Sequence, residues 1–221
     1  PTNARTEVFI DEKGNIMPGA CAAGEVACVS VHGANRLGTN SLLDIVVFGK
    51  EAGVRAAEFS QGASFQTLPG DAGDFAREQF DRLQNGSGNE KAADIAREMK
   101  EVMNDHVGVF RVEEGMQGAL DKVRELQERF KEVRVGDQAK IYNTDLLNTW
   151  EISNLLDLAE VTAASALVRK ESRGAHARDD FPERDDKKWL KHTMAWMRNG
   201  EVELRYKPVT ITNFKPKKRV Y

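Results

Sequence analysis

Arg36 stands in the stretch HGANRLGTNSLLDIVVFGKEAG (32–53), between Gly33 and Gly38 and flanked by Asn35 and Asn40. A guanidinium is permanently charged and presents a planar fork of donors, so an arginine among such small residues can clamp a carboxylate through two parallel hydrogen bonds. The same side chain also serves as half of a structural ion pair, and spacing alone does not choose. Glu25 follows a short apolar stretch at Gly24. A carboxylate there can accept hydrogen bonds from the sugar hydroxyls of a nucleotide cofactor, or sit on a turn facing water. The third feature is Ser41, where a helix start presents unpaired backbone N–H groups and a positive dipole end to whatever occupies the loop. Glycine brings backbone close and asparagine tolerates left-handed angles, so the loop is built to approach something. His32 lies beside it and is expected to make a structural hydrogen bond.

The sequence holds no complete catalytic motif of the G-x-S-x-G, H-E-x-x-H, phosphate-loop or G-x-G-x-x-G kinds. The loop must therefore be positioned by the elements around it. Two short strands, 8–10 and from Ile16 onward, are punctuated by the turn cluster 11–15. Asn40 and Ser41 read as N-cap residues of the next helix, with Asp44 at its positive end. The run Leu42, Leu43, Ile45, Val46, Val47, Phe48 is apolar nearly all round, which predicts burial on most faces. Gly49 and Gly53 would let another element pack close.

A small-residue connection (62–70) leads into residues 71–173, rich in Ala, Glu, Lys, Arg and Leu with helical periodicity. Three stripes predict a bundle core: Ile95, Met99, Val102 and His106; Met116, Leu120, Val123, Leu126, Phe130 and Val133; and Leu147, Trp150, Asn154, Leu158, Val161, Ser165 and Val168. Residues 85–90 and 133–143 read as loops. The segment HARDDFPERDDKKW (176–189) reads as irregular and exposed, and Asn199 and Gly200 predict a type I′ hairpin after it. The fold class is α+β, mainly α. It comprises a strand, loop and helix part (1–65), a long-helix bundle (71–173) and a small β-containing segment (174–221).

The 32 basic and 35 acidic residues leave a formal charge of −3, which asks for neither nucleic acid nor an anionic membrane. The basic end, NFKPKKRVY, reads as a solvated tail or a partner contact. The apolar run from Leu42 is too short and too interrupted to span a bilayer, so membrane association would come through partners. Cys21 and Cys28 lack metal-site spacing and are expected to be free, buried thiols in a reducing compartment. The opening PTNARTEVFI reads as the middle of a loop in a longer polypeptide.

Several of these stretches resemble, in order, motifs of the succinate dehydrogenase and fumarate reductase flavoproteins. PTN resembles the end of that family's G-G-I-P-T-N loop, PGACAAGEVAC its P-G-L-Y-A-x-G-E-x-A strand and turn, and VHGANRLGTNSLLDIVVFGKEAG the segment that runs over FAD and the dicarboxylate. TDLLNTWEISNLLDLAEVTAASALVRKESRGAHARDDFPERDD and WLKHTMAW resemble its long helix and the R-x-E-S-R-G-A-H-x-R segment. NSLLDI and KHT are more like succinate dehydrogenase, since fumarate reductases tend toward N-S-L-A-E.

The resemblance implies FAD as cofactor, contacted by Glu25, Ser41 and Leu42, with Arg36 gripping a carboxylate of succinate or fumarate, and makes 1–65 the C-terminal part of an FAD-binding α/β domain. It implies an iron–sulfur subunit, membrane anchor subunits and the remaining N-terminal part of the flavoprotein as partners. It also implies a peripheral place on the cytoplasmic face of a bacterial inner membrane, or the mitochondrial matrix face. The dinucleotide-binding turn, the histidine that holds FAD covalently and the capping domain with its proton-shuttling arginine are not in this sequence, so the chain alone is expected to be inactive. A fumarate reductase flavoprotein, or a non-catalytic helical interaction module in which the loop is only a packing turn, are the alternatives.

Overall fold

Asp11 closes the first turn. Its carboxylate accepts the N–H groups of Lys13 and Asn15, each at 3.0 Å, and thereby joins β1 (Glu7–Phe9) to β2 (Ile16–Cys21). The computed structural model describes residues 1–213 and 215–217. The two strands pair antiparallel, with Glu7 opposite Cys21 and Phe9 opposite Ile16, as the turn chemistry predicts. A short 3-10 turn (Gly24–Val26) follows, then the arginine loop, then helix α1 (Asn40–Gly62).

Helix α1 departs from expectation at its start and along its faces. The N-cap is Thr39, in the left-handed region at φ 69 and making no side-chain cap, rather than Asn40 or Ser41. Asp44 lies past the first turn and is bonded to His32 instead. No residue of α1 is buried; Leu42, Leu43, Val46 and Val47 all face outward. An all-round apolar run signals burial only where other elements cover it, and among the described residues α1 packs chiefly on β2 and the 24–26 turn. At that contact Gly19 is required. Its φ is +79, and an added Cβ would stand 2.7 Å from the Phe59 ring. Nothing lies within 4 Å of such a Cβ at Gly49 or Gly53, so no element approaches there among the described residues.

The bundle is α2 (Asp74–Asn85), α3 (Ala92–Val107), α4 (Glu113–Phe130) and α5 (Thr144–Val168). The α4 stripe is buried at every predicted position, Met116 through Val133. Its pattern is strictly amphipathic, so periodicity identifies the inner face. Ile95 and Met99 of α3 are buried beside it, but His106 is exposed at the helix end rather than in the core. For α5 the predicted stripe is the wrong face. Leu147, Asn154 and Leu158 point outward, and Trp150 meets the Phe80 ring of α2 at 5.2 Å. The buried face carries Thr149, Leu156, Ala159, Glu160, Ala163, Ala164 and Ala166. Leucines ring α5 on several sides, so apolarity could not select a face; small residues did, by letting α4 come close. Asn143 caps α5, accepting the Leu146 N–H at 2.8 Å.

The charged segment after α5 is irregular but not all exposed. Arg178 and Glu171 are buried, and Ala177 and Arg178 form β4, parallel to β3 (Phe110–Arg111). Its charges are interior because they pair. Arg178 binds both oxygens of Asp180 at 2.7 and 2.6 Å, and Arg173 binds both oxygens of Glu171 at 2.7 and 2.9 Å. The predicted hairpin is present: β5 (Lys191–Arg198) and β6 (Glu201–Pro208) pair antiparallel about Asn199 (φ 53) and Gly200 (φ 78). Arg205 of β6 reaches back to Glu12, both carboxylate oxygens at 3.0 Å. Of the basic end, Phe214, Lys218, Arg219, Val220 and Tyr221 lie outside the described residues. Both cysteines are free, but neither is buried as expected: Cys21 is half-buried and Cys28 exposed. Among the described residues no helix is long and apolar enough to cross a membrane.

Candidate functional site

The arginine loop is held in a strained frame. Ser30 (φ 67) and Thr39 (φ 69) bracket it in the left-handed region, which costs a β-branched residue most. Gly33, at φ +72, has open space where a side chain would stand. The result is a cleft of about 360 Å³ lined by Glu25, His32, Arg36, Ser41, Asp44 and Ala175, with neighbouring small residues. Three of the four residues singled out from the sequence therefore share one cleft. Leu42 does not line it. Its side chain faces outward and its N–H donates to the Thr39 carbonyl at 3.0 Å.

Arg36 is exposed at the cleft, with no carboxylate in ion-pair range among the described residues. Glu25 is exposed in the same cleft. The Ser41 N–H lies in the first turn of α1, where no intrahelical acceptor exists, and has no partner outside the helix among the described residues. Cation, helix N-terminus and carboxylate thus converge, two disposed toward anions and one toward hydroxyls. His32 makes the structural bond expected of it, Nε2 to Asp44 Oδ2 at 2.6 Å, and so fastens the loop to the second turn of α1.

The far wall was not foreseen. Gly174 and Ala175 form a tight turn closed by reciprocal bonds between Arg173 and His176, at 2.8 and 3.1 Å. The Ala175 N–H donates to the Ala34 carbonyl at 3.3 Å. Gly174, at φ +61, lies so close that an added Cβ would stand 2.3 Å from that same oxygen. The glycine in SRGAH was the available signal, but a contact across 140 residues of chain has no local pattern. A larger open groove, about 1390 Å³, lies on the other side of the loop against Arg173, Asp186, Trp189 and His192. None of Glu25, Arg36 or Ser41 lines it, and Arg173 is taken up by Glu171 and Asp186. Glu25, Arg36 and Ser41 thus share the smaller cleft.

Residues 96–221 match the family described as fumarate reductase flavoprotein C-term, and residues 1–42 match the FAD binding domain. This chain belongs to the succinate dehydrogenase and fumarate reductase flavoprotein family. It is 43% identical to the succinate dehydrogenase flavoprotein subunit of Rickettsia bellii, aligned over 100% of this chain and 39% of the relative. It is 45% identical to the fumarate reductase flavoprotein subunit of Proteus vulgaris, over 100% of this chain and 36% of the relative. Among solved structures it is similar to a mutant E. coli quinol fumarate reductase FrdA, with a TM-score of 0.90 and 43% identity, over 100% of this chain and 37% of that one. The chain thus spans less than two fifths of the length of these relatives. FAD, implied by the sequence resemblance, is the cofactor of this family. Family membership also accounts for the mainly helical α+β fold.

Proposed function

We propose that this chain forms the C-terminal portion of the flavoprotein subunit of a succinate dehydrogenase, and that the cleft between the arginine loop and the Gly174 turn is its share of the active site. The observation that carries the reading is the unpaired Arg36 guanidinium in one cleft with Glu25 and the α1 N-terminus. A structural ion pair, the plainer role for Arg36, has no partner among the described residues.

The cleft fits FAD in the chemistry of its donors. Glu25 is a free acceptor for hydroxyls, and the Ser41 end of α1 favours negative charge beside it by about 0.3–2 kcal/mol. Leu42, whose side chain faces away from this cleft, would touch FAD only outside it. When bound, FAD supplies the two-electron acceptor for a hydride leaving succinate. Arg36 binds and orients. Its fork fixes one carboxylate by two bonds, which holds the diacid in a single attitude. The proton-transfer groups belong to the rest of the flavoprotein.

On this reading the exposed apolar face of α1 is covered by the remaining N-terminal part, and electrons leave through an iron–sulfur subunit to quinone at membrane anchor subunits. The assembly sits peripherally on the cytoplasmic face of a bacterial inner membrane, or on the mitochondrial matrix face. The working division is 1–65, 71–173 and 174–221, supported by the separate packing of α1 on β2 and of α2 to α5 on one another. The preference for succinate over fumarate as physiological substrate rests on NSLLDI (40–45) and KHT (191–193), since relatives of both kinds are comparably similar.

Arg36→Lys in the complete flavoprotein tests the assignment. A point charge cannot reproduce a two-bond grip, so succinate turnover should fall by about 10²-fold or more with FAD content unchanged. Wild-type kcat/KM in that variant would remove Arg36 from the site.

A further inference from the structure

Behind the Gly174 turn lies a cluster of groups that the cleft itself does not use. Arg111 donates from Nε to the Val107 and Gly108 carbonyls, each at 3.0 Å, closing the C-terminal end of α3. Arg178 donates to the carbonyls of Ala166, Leu167 and Arg169 at the corresponding end of α5. Between them stands His176, half-buried, with Nδ1 2.7 Å from Arg111 Nη1 and Nε2 3.0 Å from the Arg169 carbonyl. These partners decide its tautomer. A guanidinium can only donate and a carbonyl can only accept, so Nδ1 accepts and Nε2 carries the hydrogen. The ring is neutral.

The backbone of His176 also closes the 173–176 turn, whose Ala175 N–H bonds Ala34, two residues before Arg36. A continuous run of contacts therefore leads from the ends of two bundle helices to the arginine loop. We propose that His176 is a positioning residue for Arg36: its neutral imidazole pins the turn to α3 and α5, and the turn sets where the arginine loop stands. This rests on the assignment of Arg36 to the dicarboxylate.

The surroundings make the pin sensitive to acid. Arg111 faces His176 from β3, Arg178 from β4 and Arg169 from the end of α5. The nearby carboxylates are occupied: Glu171 by Arg173 and the Asp185 N–H, Asp180 by Arg178, with Glu113 of α4 3.8 Å from Arg178 and bound to Lys170. Burial first, then the three arginines, push the His176 pKa below the ordinary 6.5, opposed only by the bond to the Arg169 carbonyl. Protonation would put a donor against Arg111 and break the pin. Dicarboxylate affinity should therefore hold at neutral pH and weaken as the pH falls below that range.

The test uses the complete FAD-loaded flavoprotein and fumarate as the probe, with the dissociation constant measured by calorimetry from pH 8 down to about 5.5. His176→Leu, which takes the acceptor away from Arg111 Nη1, should weaken fumarate binding about tenfold at neutral pH. His176→Gln keeps an acceptor and a donor but cannot titrate, so it should restore neutral-pH affinity and flatten the acid-side loss. Wild-type affinity in His176→Leu overturns the proposal, and so does an acid-side loss that persists unchanged in His176→Gln. If His176→Leu fails to fold, judged by FAD content, the wild-type and Gln pH profiles alone decide. Arg36→Ala separates the two levels. Unchanged fumarate binding there sinks the dicarboxylate assignment itself, whereas loss of binding there with wild-type behaviour in both His176 variants sinks only the positioning role.

Discussion

Thr39 and Gly174 occupy the same kind of backbone space with different side chains. Gly174 tolerates its positive φ freely and has no room for a Cβ; Thr39 holds φ 69 with a branched one. Left-handed backbone costs an L-residue about 1–2 kcal/mol, and the N-cap makes no side-chain bond in return. Thr39→Gly should therefore raise stability by about 1 kcal/mol, read as a higher urea midpoint at unchanged slope; a lower midpoint would show that the branched side chain makes contacts worth more than the strain. Residue type alone singled out three side chains that the fold brings into one cleft. An arginine among glycines, an acid after a glycine and a serine at a helix start point to their chemistry without coordinates. The exact cap was not legible, because Asn40 and Ser41 are better cap residues than Thr39, and the His32 bond to Asp44 drew that acid away from the dipole.

Helices α4 and α5 show what element-scale patterning can and cannot tell. In α4 the polar and apolar residues separate cleanly, and the inner face followed from periodicity. In α5 leucines occupy both sides while the core side is mostly alanine, so a reading weighted toward large apolar residues chose the outer face. Glu160, buried on that inner side, is held by Arg124 at 2.9 Å and Gln127 at 3.0 Å and would also have argued against the correct face. The corrected face makes a sharp comparison. Leu156→Ala should destabilise the chain by about 2–5 kcal/mol through the cavity it leaves, while Leu158→Gln should stay within about 0.5 kcal/mol as a surface change. Thermal unfolding of the two variants distinguishes the faces, and equal losses would return the core to the Leu158 side.

Across the whole molecule, the bundle was visible as a run of periodic blocks and the hairpin as an Asn-Gly pair. What joins them to the cleft was invisible, because those joints link residues far apart in sequence: Gly174 beneath Ala34, Arg111 against His176, Arg205 on Glu12. The last of these differs from the others in kind. Arg205 and Glu12 are only partly buried, with side-chain exposures of 39% and 23%, and a pair so placed is screened by electrolyte where the apolar bundle is not. Added sodium chloride therefore acts as a selective loosening agent, freeing the amino-terminal strand pair while leaving the helices intact. Amide exchange in β1 and β2 should quicken between about 0.05 and 1 M salt with α4 unaffected, and equal behaviour of both regions would mean that the strand pair is fastened by something other than charge.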